Sequence, residues 1–325
     1  MSSNEKTAPL VVDEETVRSV LHELDVRGAL TQMFRALGSE RAVQPPQTLT
    51  LFPGGTGDFI TYLGAITDAQ VFGAKLSPYI VNGVVTGGRP IVTAWTALMS
   101  MQTGQPLLWC DAGLLTTERT AGTTALAVDH LAPAGAKRLA IVGAGAVGQA
   151  HLRHVAPLRA WESISVYSPD LQADAAKRAA ITAIAPRASL SARIEACVRD
   201  ADVVLLCTSS GTPVLLDGML TKPALITSIS TNAANAHEVP PAWLPDMDVY
   251  CDYRRTTPGS AGEMKLAAEQ HGWNAASLAG DLAELVCGTC ERPTYRKHAF
   301  FRSIGLGLED VAIAHALLRH LTQGR

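Results

Sequence analysis

The stretch "RLAIVGAGAVGQAHLRHV", Arg138–Val155, constrains the fold more than any other segment of the chain. An apolar β run stops at Gly143, the glycines at 143, 145 and 148 keep G-x-G-x-x-G spacing, and helix-compatible residues follow from Ala146. Each position has a physical reason. Gly143 permits a tight turn, Gly145 lets backbone approach a pyrophosphate, Gly148 lets helix pack on strand, and N–H groups at Ala146 and Val147 point at the anion. The glycine spacing is weak evidence by itself. It gains force from the alternation that follows: "SISVYSP", "LQADAAKRAAITA", "DVVLLCTSS", "ALITSIS" and "MDVYCDY" read as strands and helices in turn. That order predicts a parallel sheet with crossover helices, a Rossmann-type dinucleotide-binding domain over residues 131–299.

The 325 residues are long for one core and suggest about two domains. From Asp13, a candidate N-cap, "DEETVRSVLHEL" and "VRGALTQMFRAL" space apolar residues as two amphipathic helices would. Between Thr48 and Cys110 come β-rich runs broken by Gly and Pro, which predict a mainly antiparallel sheet with a hairpin at "QTGQP". "TTERTAGTTALAVDHLA" returns to helical spacing, "PAGAK" breaks it, and the tail "RSIGLGLEDVAIAHALLRHL" predicts a helix that returns to the first domain. The fold class is therefore α/β, with an α+β domain from residues 1–130 and 300–325 beside the Rossmann-type one.

Composition removes several classes. Hydrophobic residues at 47%, charged residues at 18% and a net charge of −3 describe a globular chain without the basic stripe that nucleic acid needs. No apolar run reaches the ~18 residues of a spanning helix and no signal peptide is visible, so a cytoplasmic protein without a membrane partner is expected. Six cysteines in apolar contexts fit buried, reduced thiols; Cys287 and Cys290 form a CxxC without the second pair a zinc site wants, and the spacing reads as incidental. His151 and His154 lie three apart on one helix with no third ligand in view, which favours a solvated helix face and no metal. At the tip of the second Rossmann strand stands Ser168, where an acid would grip the ribose and a base would accept a 2′-phosphate. Asp170 remains within reach of a ribose. A small hydroxyl tolerates a phosphate, which places NADP(H) slightly ahead of NAD(H).

The order of segments is itself distinctive. Lys75 in "VFGAKLSPYIVNG", then "LLTTERTAGTTALA", "GAGAVG", "ADVVLLCTSS", "STNAANAHEVP" and "FFRSIGLGLEDVAIA" resemble the ornithine cyclodeaminase/mu-crystallin family from about Pro45 onward. The resemblance implies a homodimer, a first domain that binds substrate and dimerises, and hydride exchange at the α-carbon of an amino or imino acid. It implies that Lys75 and Arg119 hold the substrate carboxylate, with Arg119 also touching the cofactor. Thr120, near a helix start, would bond the nucleotide phosphate. Thr208, Ser303 and Ile304 would line the nicotinamide pocket, and Ser230 and Asn232 would stand beside the cofactor. Read alone, Lys75 fits a snorkelling lysine and Arg119 a surface arginine paired with Glu118 or Asp129.

Two departures bear on the reaction. Cyclodeaminases carry an arginine where this chain has Gln47, and an aspartate where it has Asn232. Asparagine cannot take a proton from a terminal amine. The leading expectation is therefore reduction of a cyclic ketimine such as Δ1-pyrroline-2-carboxylate to L-proline, with Lys75, Arg119 and Asn232 as the catalytic set. Alternatives are ornithine cyclodeamination, with His237 or a water as base; a linear amino-acid dehydrogenase or iminosuccinate reductase; and a non-catalytic binding protein. Glu263, Glu309 and Asp310 read as caps or solvated faces, with Asp310 structural, and His298 as a possible proton donor.

Overall fold

The computed structural model describes residues 8–80, 93–230 and 235–323; Asn232 lies outside them. In chain order, the elements begin with β1 (Leu10–Val12), α1 (Glu14–Val20), α2 (Val26–Gly38), β2 (Ala42–Val43) and β3 (Thr48–Leu51). Next are β4 (Gly57–Ile66), β5 (Val71–Ile80), β6 (Trp95–Ser100), β7 (Pro106–Asp111) and α3 (Gly113–Leu131). The glycine-rich half has β8 (Arg138–Val142), α4 (Ala146–Val155), β9 (Ser163–Tyr167), α5 (Ala175–Ile184), β10 (Ser189–Leu190), α6 (Ile194–Val198), β11 (Val203–Leu206) and β12 (Leu225–Ser228). The remainder is β13 (Asp248–Cys251), α7 (Thr257–Ser260), α8 (Gly262–Gln270), β14 (Gly280–Asp281), α9 (Leu282–Cys287), β15 (Ala299–Arg302) and α10 (Gly307–Gln323). These form two compact units, Met1–Arg119 with Leu306–Arg325, and Thr120–Gly305. The chain passes from one to the other inside α3, ahead of the "PAGAK" break.

The first unit holds a sheet of order β1-β7-β6-β5-β4-β2, with β3 also on β4; every pairing is antiparallel except β1 with β7. Asp13 and Asp25 cap α1 and α2, each accepting a backbone N–H at 2.9 Å. Strand alternation sorts the sheet's residues. Tyr62, Ile66, Val71, Lys75, Leu98, Leu108 and Cys110 are buried, and α10 packs on β4, β5 and β6. Glycine makes that approach possible: a Cβ on Gly64 would press on the Leu308 backbone, and one on Gly307 would collide with the Leu63 carbonyl. The opposite face leaves Val11, Leu63, Phe72, Leu76 and Trp109 exposed, with Trp95 and Trp109 stacked at 5.7 Å between ring centroids.

The second unit is an eight-stranded, fully parallel sheet of order β10-β9-β8-β11-β12-β15-β13-β14. Its central strands are apolar throughout, as strands covered on both faces must be: all of Val203–Leu206 is buried, as are Leu139–Val142. Strand order turns between β8 and β9 on one side and β11 on the other, so loops leaving the carboxyl ends of β8, β9, β11 and β12 share one edge, where doubly wound sheets bind ligands. Among the described residues no helix is long and apolar enough to cross a membrane.

Candidate active site

Lys75 stands on the core face of β5, between Gly73 and Ser77, and only 1% of it reaches solvent. A cation at such a place needs a partner. It finds Asp310 on α10, with Nζ 3.0 Å from Oδ1 and 2.9 Å from Oδ2, and it also donates to Thr116 Oγ1 at 3.4 Å. The Tyr62 ring lies under the ammonium, 4.2 Å from its centroid. Arg119 of α3 reaches the same carboxylate from the other side, Nε to Asp310 Oδ1 at 2.9 Å, and its Nη1 meets Glu309 Oε2 at 3.0 Å. Two cations and two carboxylates thus form one buried, charge-balanced cluster. Burial pulls the Lys75 pKa down to about 8 against the attraction of Asp310, and the Arg119 charge adds to the lowering. For Arg119 burial likewise opposes the charge, but Asp310 and Glu309 outweigh it and raise its pKa.

The glycine turn of the second unit has the geometry of a dinucleotide cradle. Gly143 has φ +114°, and a Cβ there would strike the Cys207 carbonyl at the end of β11. On Gly148 a Cβ would collide with the Gly143 carbonyl. A Cβ on Gly145 would stand in open space before α4, and this N-cap residue offers no side-chain acceptor to the helix. Ala146 and Val147 therefore begin a helix whose terminal donors remain for an anion. These features fit a bound dinucleotide. At the tip of β9, Ser168 Oγ donates to Asp170 Oδ1 at 2.6 Å, and Lys177 pairs with that carboxylate, holding the Asp170 pKa low.

Two buried carboxylates organise the loops on the same sheet edge. Glu238 accepts from Thr208 N (2.8 Å) and Thr208 Oγ1 (2.7 Å), and also from Ser228 Oγ (2.7 Å) and Ser230 N (2.9 Å). Asp252 accepts from Ser303 Oγ (3.1 Å) and from the N–H groups of Ile304 (2.7 Å) and Gly305 (3.1 Å), besides Thr257 Oγ1. Burial pushes the Asp252 pKa up while Thr257 and those amides pull it back. Four sequence candidates, Thr208, Ser230, Ser303 and Ile304, are therefore held by two acids that residue-type reasoning passed over. Glu238 was visible only as the glutamate of "AHEVP"; a lone acid beside prolines, buried completely, was the available signal.

Several expectations change. Arg119 pairs with Glu309 and Asp310 in place of Glu118 or Asp129, because α10 returns to the first sheet. Glu263 and Glu309 are buried and not solvated, and Asp310, expected to be structural, is buried as well; Glu263 meets Arg302 Nε at 2.7 Å. Thr120 is about two turns inside α3, whose start is Gly113, so its own N–H is committed to the helix. His151 is buried with Nε2 2.9 Å from Thr124 Oγ1, so the solvated-face reading fails for it, although His154 is half-buried. His298 lies at the amino end of β15, its Nδ1 accepting Ala224 N at 3.1 Å, and so at the opposite end of that strand from Ser303. Cys287 is exposed, and all six thiols are free. Gln47 is half-buried, with its Oε1 buried and unbonded; it takes no part in the charge cluster.

Comparison with known proteins adds a family. Residues 8–324 match the profile of the ornithine cyclodeaminase/mu-crystallin family. The chain is 56% identical over 311 residues to the NAD(P)H-dependent anabolic L-arginine dehydrogenase DauB of Pseudomonas aeruginosa, covering 96% of this chain and 97% of that one. It superimposes on a probable ornithine cyclodeaminase from Bordetella pertussis with TM-score 0.86, at 28% identity, covering 98% of each chain. The iminosuccinate reductase of Paracoccus denitrificans, solved with NAD+, shares the fold at TM-score 0.87 and 23% identity over 97% of each chain.

The charge cluster makes a stability prediction. Asp310→Ala strands Lys75 in the core and is expected to cost about 3–5 kcal/mol in urea unfolding. Adding Lys75→Met should recover part of that loss, because the uncompensated cation is gone. A cost below ~1 kcal/mol for Asp310→Ala would mean that the cluster is not what holds α10 to the sheet.

Proposed function

The chain belongs to the ornithine cyclodeaminase/mu-crystallin family and is an NAD(P)-dependent oxidoreductase of amino and imino acids, and from that premise we propose that it is a linear amino-acid dehydrogenase working reductively on the 2-oxo acid of L-arginine. The observation that carries the reading is 56% identity across nearly the whole of an L-arginine dehydrogenase. It moves the weight from the cyclic ketimine, which the residues first favoured, to the open-chain alternative. Gln47 and Asn232 argue against cyclodeamination and do not separate the cyclic ketimine from the open chain. Neither supplies the arginine and the base of a cyclodeaminase.

In this reading the 2-oxo acid and ammonia condense to an α-imine with loss of water. The bound nicotinamide supplies a hydride to the imine carbon while a proton goes to nitrogen. Overall, oxo acid, ammonium, reduced cofactor and one proton give amino acid, oxidised cofactor and water. Lys75 and Arg119 hold the carboxylate by charge-assisted hydrogen bonds. Residues 1–130 and 300–325 are assigned to substrate binding and dimerisation, and 131–299 to the cofactor, with Gly143, Gly145, Ala146, Val147 and Gly148 on its pyrophosphate. Lys177 beside Asp170 supplies a cation near the ribose position, which suits a 2′-phosphate and keeps NADPH at least equal to NADH.

The exposed face of the first sheet is proposed to be covered by a second copy. Val11, Leu63, Phe72, Leu76 and Trp109 are each more than a third exposed on one face, a patch of the kind soluble monomers rarely leave open. Wild type should sediment as a dimer and Trp109→Asp as a monomer. A monomeric wild type would remove this assignment.

Substrate choice is tested by following NADPH and NADH oxidation with 2-oxo-5-guanidinopentanoate plus ammonia, and separately with Δ1-pyrroline-2-carboxylate. We expect kcat/KM at least about tenfold higher for the guanidino acid. The reverse order would restore the cyclic ketimine, and a strong NADH preference would remove the role given to Lys177.

Lys75 gives the reaction a pH limb. The lysine must be charged to hold a carboxylate, so kcat/KM should fall about tenfold per pH unit above about 8, and Lys75→Arg should abolish that limb. Stability moves oppositely. With its folded pKa below the 10.5 of an unburied lysine, the native state binds fewer protons than the unfolded one between about 8 and 10.5. The burial penalty is full below pH 8 and is relieved across that window. A flat wild-type profile from pH 7 to 10 would show that Lys75 does not titrate in the reaction.

A further inference from the structure

Glu238 ties three points of the ligand-binding edge of the second unit together. It is fully buried and accepts four hydrogen bonds of 2.7–2.9 Å. Two come from Thr208, just beyond β11; one comes from the last residue of β12, Ser228; one comes from Ser230, whose φ of +48° is left-handed. Its own carbonyl accepts Val214 N at 2.9 Å and Leu215 N at 3.3 Å, so the connection between β11 and β12 is held by the same residue. The segment it grips also abuts the glycine turn: Cys207 N donates to Val142 O at 2.8 Å, and the Cys207 carbonyl is what forbids a side chain on Gly143. A buried carboxylate saturated by donors, with a non-glycine residue held at positive φ beside it, is a costly arrangement for a loop with no task.

We infer that Glu238 is a positioning residue for hydride transfer, fixing Thr208 and Ser230 where the nicotinamide half of the cofactor is received. The pyrophosphate cradle lies on the other side of Cys207 and is built by its own glycines, so the two halves of the cofactor site depend on Glu238 unequally. This rests on the assignment of Thr208 and Ser230 to the nicotinamide end, but not on the choice of amino acid. Gln at 238 keeps the size and loses two of the acceptor sites, leaving an amide to face N–H or O–H donors.

The experiment compares Glu238→Gln and Glu238→Met with wild type by calorimetric binding of NADH and of ADP-ribose, and by kcat with whichever substrate the wild type turns over. ADP-ribose affinity should stay within about twofold in folded Glu238→Gln, NADH should lose its advantage over ADP-ribose, and kcat should fall at least about tenfold with KM for substrate changing less. Glu238→Asp should recover part of kcat by restoring an all-acceptor group. The inference is overturned if kcat is unchanged, or if NADH and ADP-ribose weaken together, which would make Glu238 a general support of the fold. Circular dichroism and the ADP-ribose titration report folding independently, and Glu238→Gln carries the test if Glu238→Met does not fold. An error in the substrate assignment would leave the two binding ratios untouched.

Discussion

The first unit depends on neutralising charge inside its core. Lys75 is placed by strand alternation on the buried face of β5, and only a carboxylate delivered from elsewhere in the chain makes that position tolerable. Asp310 arrives on α10, more than two hundred residues later, and serves Arg119 as well. The helix can come close enough because Gly64 and Gly307 carry no side chains at the contact. A backbone constraint, two glycines, thus secures an electrostatic one. A cluster of balanced charge is weak evidence for stability, since an apolar set of the same volume does as well or better. What distinguishes this cluster from an apolar one is two desolvated cations held side by side, a pair suited to charge-assisted hydrogen bonds with a further carboxylate.

The second unit answers a similar constraint with backbone donors. Loops leaving the carboxyl ends of parallel strands expose N–H groups that have no ladder partner, and Glu238 and Asp252 collect them. At Asp252 such bonds pull the pKa back against the burial that pushes it up. Asp252 keeps the turn at Ser303–Gly305 and Glu238 keeps the turns after β11 and β12. The chain leaves the second unit directly after the first of these turns, and four residues further on come Glu309 and then Asp310. The "FFRSIGLGLED" segment thus carries an anchored turn, a glycine contact and two counter-ions in succession.

Legibility differed by kind of signal. The glycine turn and the alternating strands were plain in the sequence because steric rules leave few residues able to occupy them: Gly143 at φ +114° admits no other. Lys75 and Arg119 are singled out by family resemblance, and the structure shows them buried and paired with acids, an environment their residue types alone do not reveal. Local patterns place an acid on a helix face, but they do not say which face a distant helix will present, so Glu309 reads as a cap or a solvated face and Asp310 only as structural, without its partners. His151 failed for the same reason, since its partner Thr124 sits on a different helix. Thr120 was misplaced because the helix begins earlier than the apolar spacing suggested, at Gly113. Glu238 is passed over although it lies in the same "STNAANAHEVP" segment as Asn232. A four-donor hub is defined by its neighbours, and these lie eight to thirty residues away in sequence.

The loop "STNAANAHEVP" therefore carries two kinds of information. Asn232, by the family resemblance, stands where cyclodeaminases carry an aspartate, and a carboxamide cannot serve as a base. Glu238 bears on whether any reaction is performed, since it fixes residues from both neighbouring strand ends. A side chain that satisfies buried donors is committed to geometry in a way that a side chain with no such duty is not. A family with one hydride-transfer chemistry and many amino-acid substrates is what such a division allows. The open-chain reading of this chain rests on its identity to an L-arginine dehydrogenase and not on this loop, whereas the demand that the buried donors around Glu238 be met holds whichever amino acid is bound.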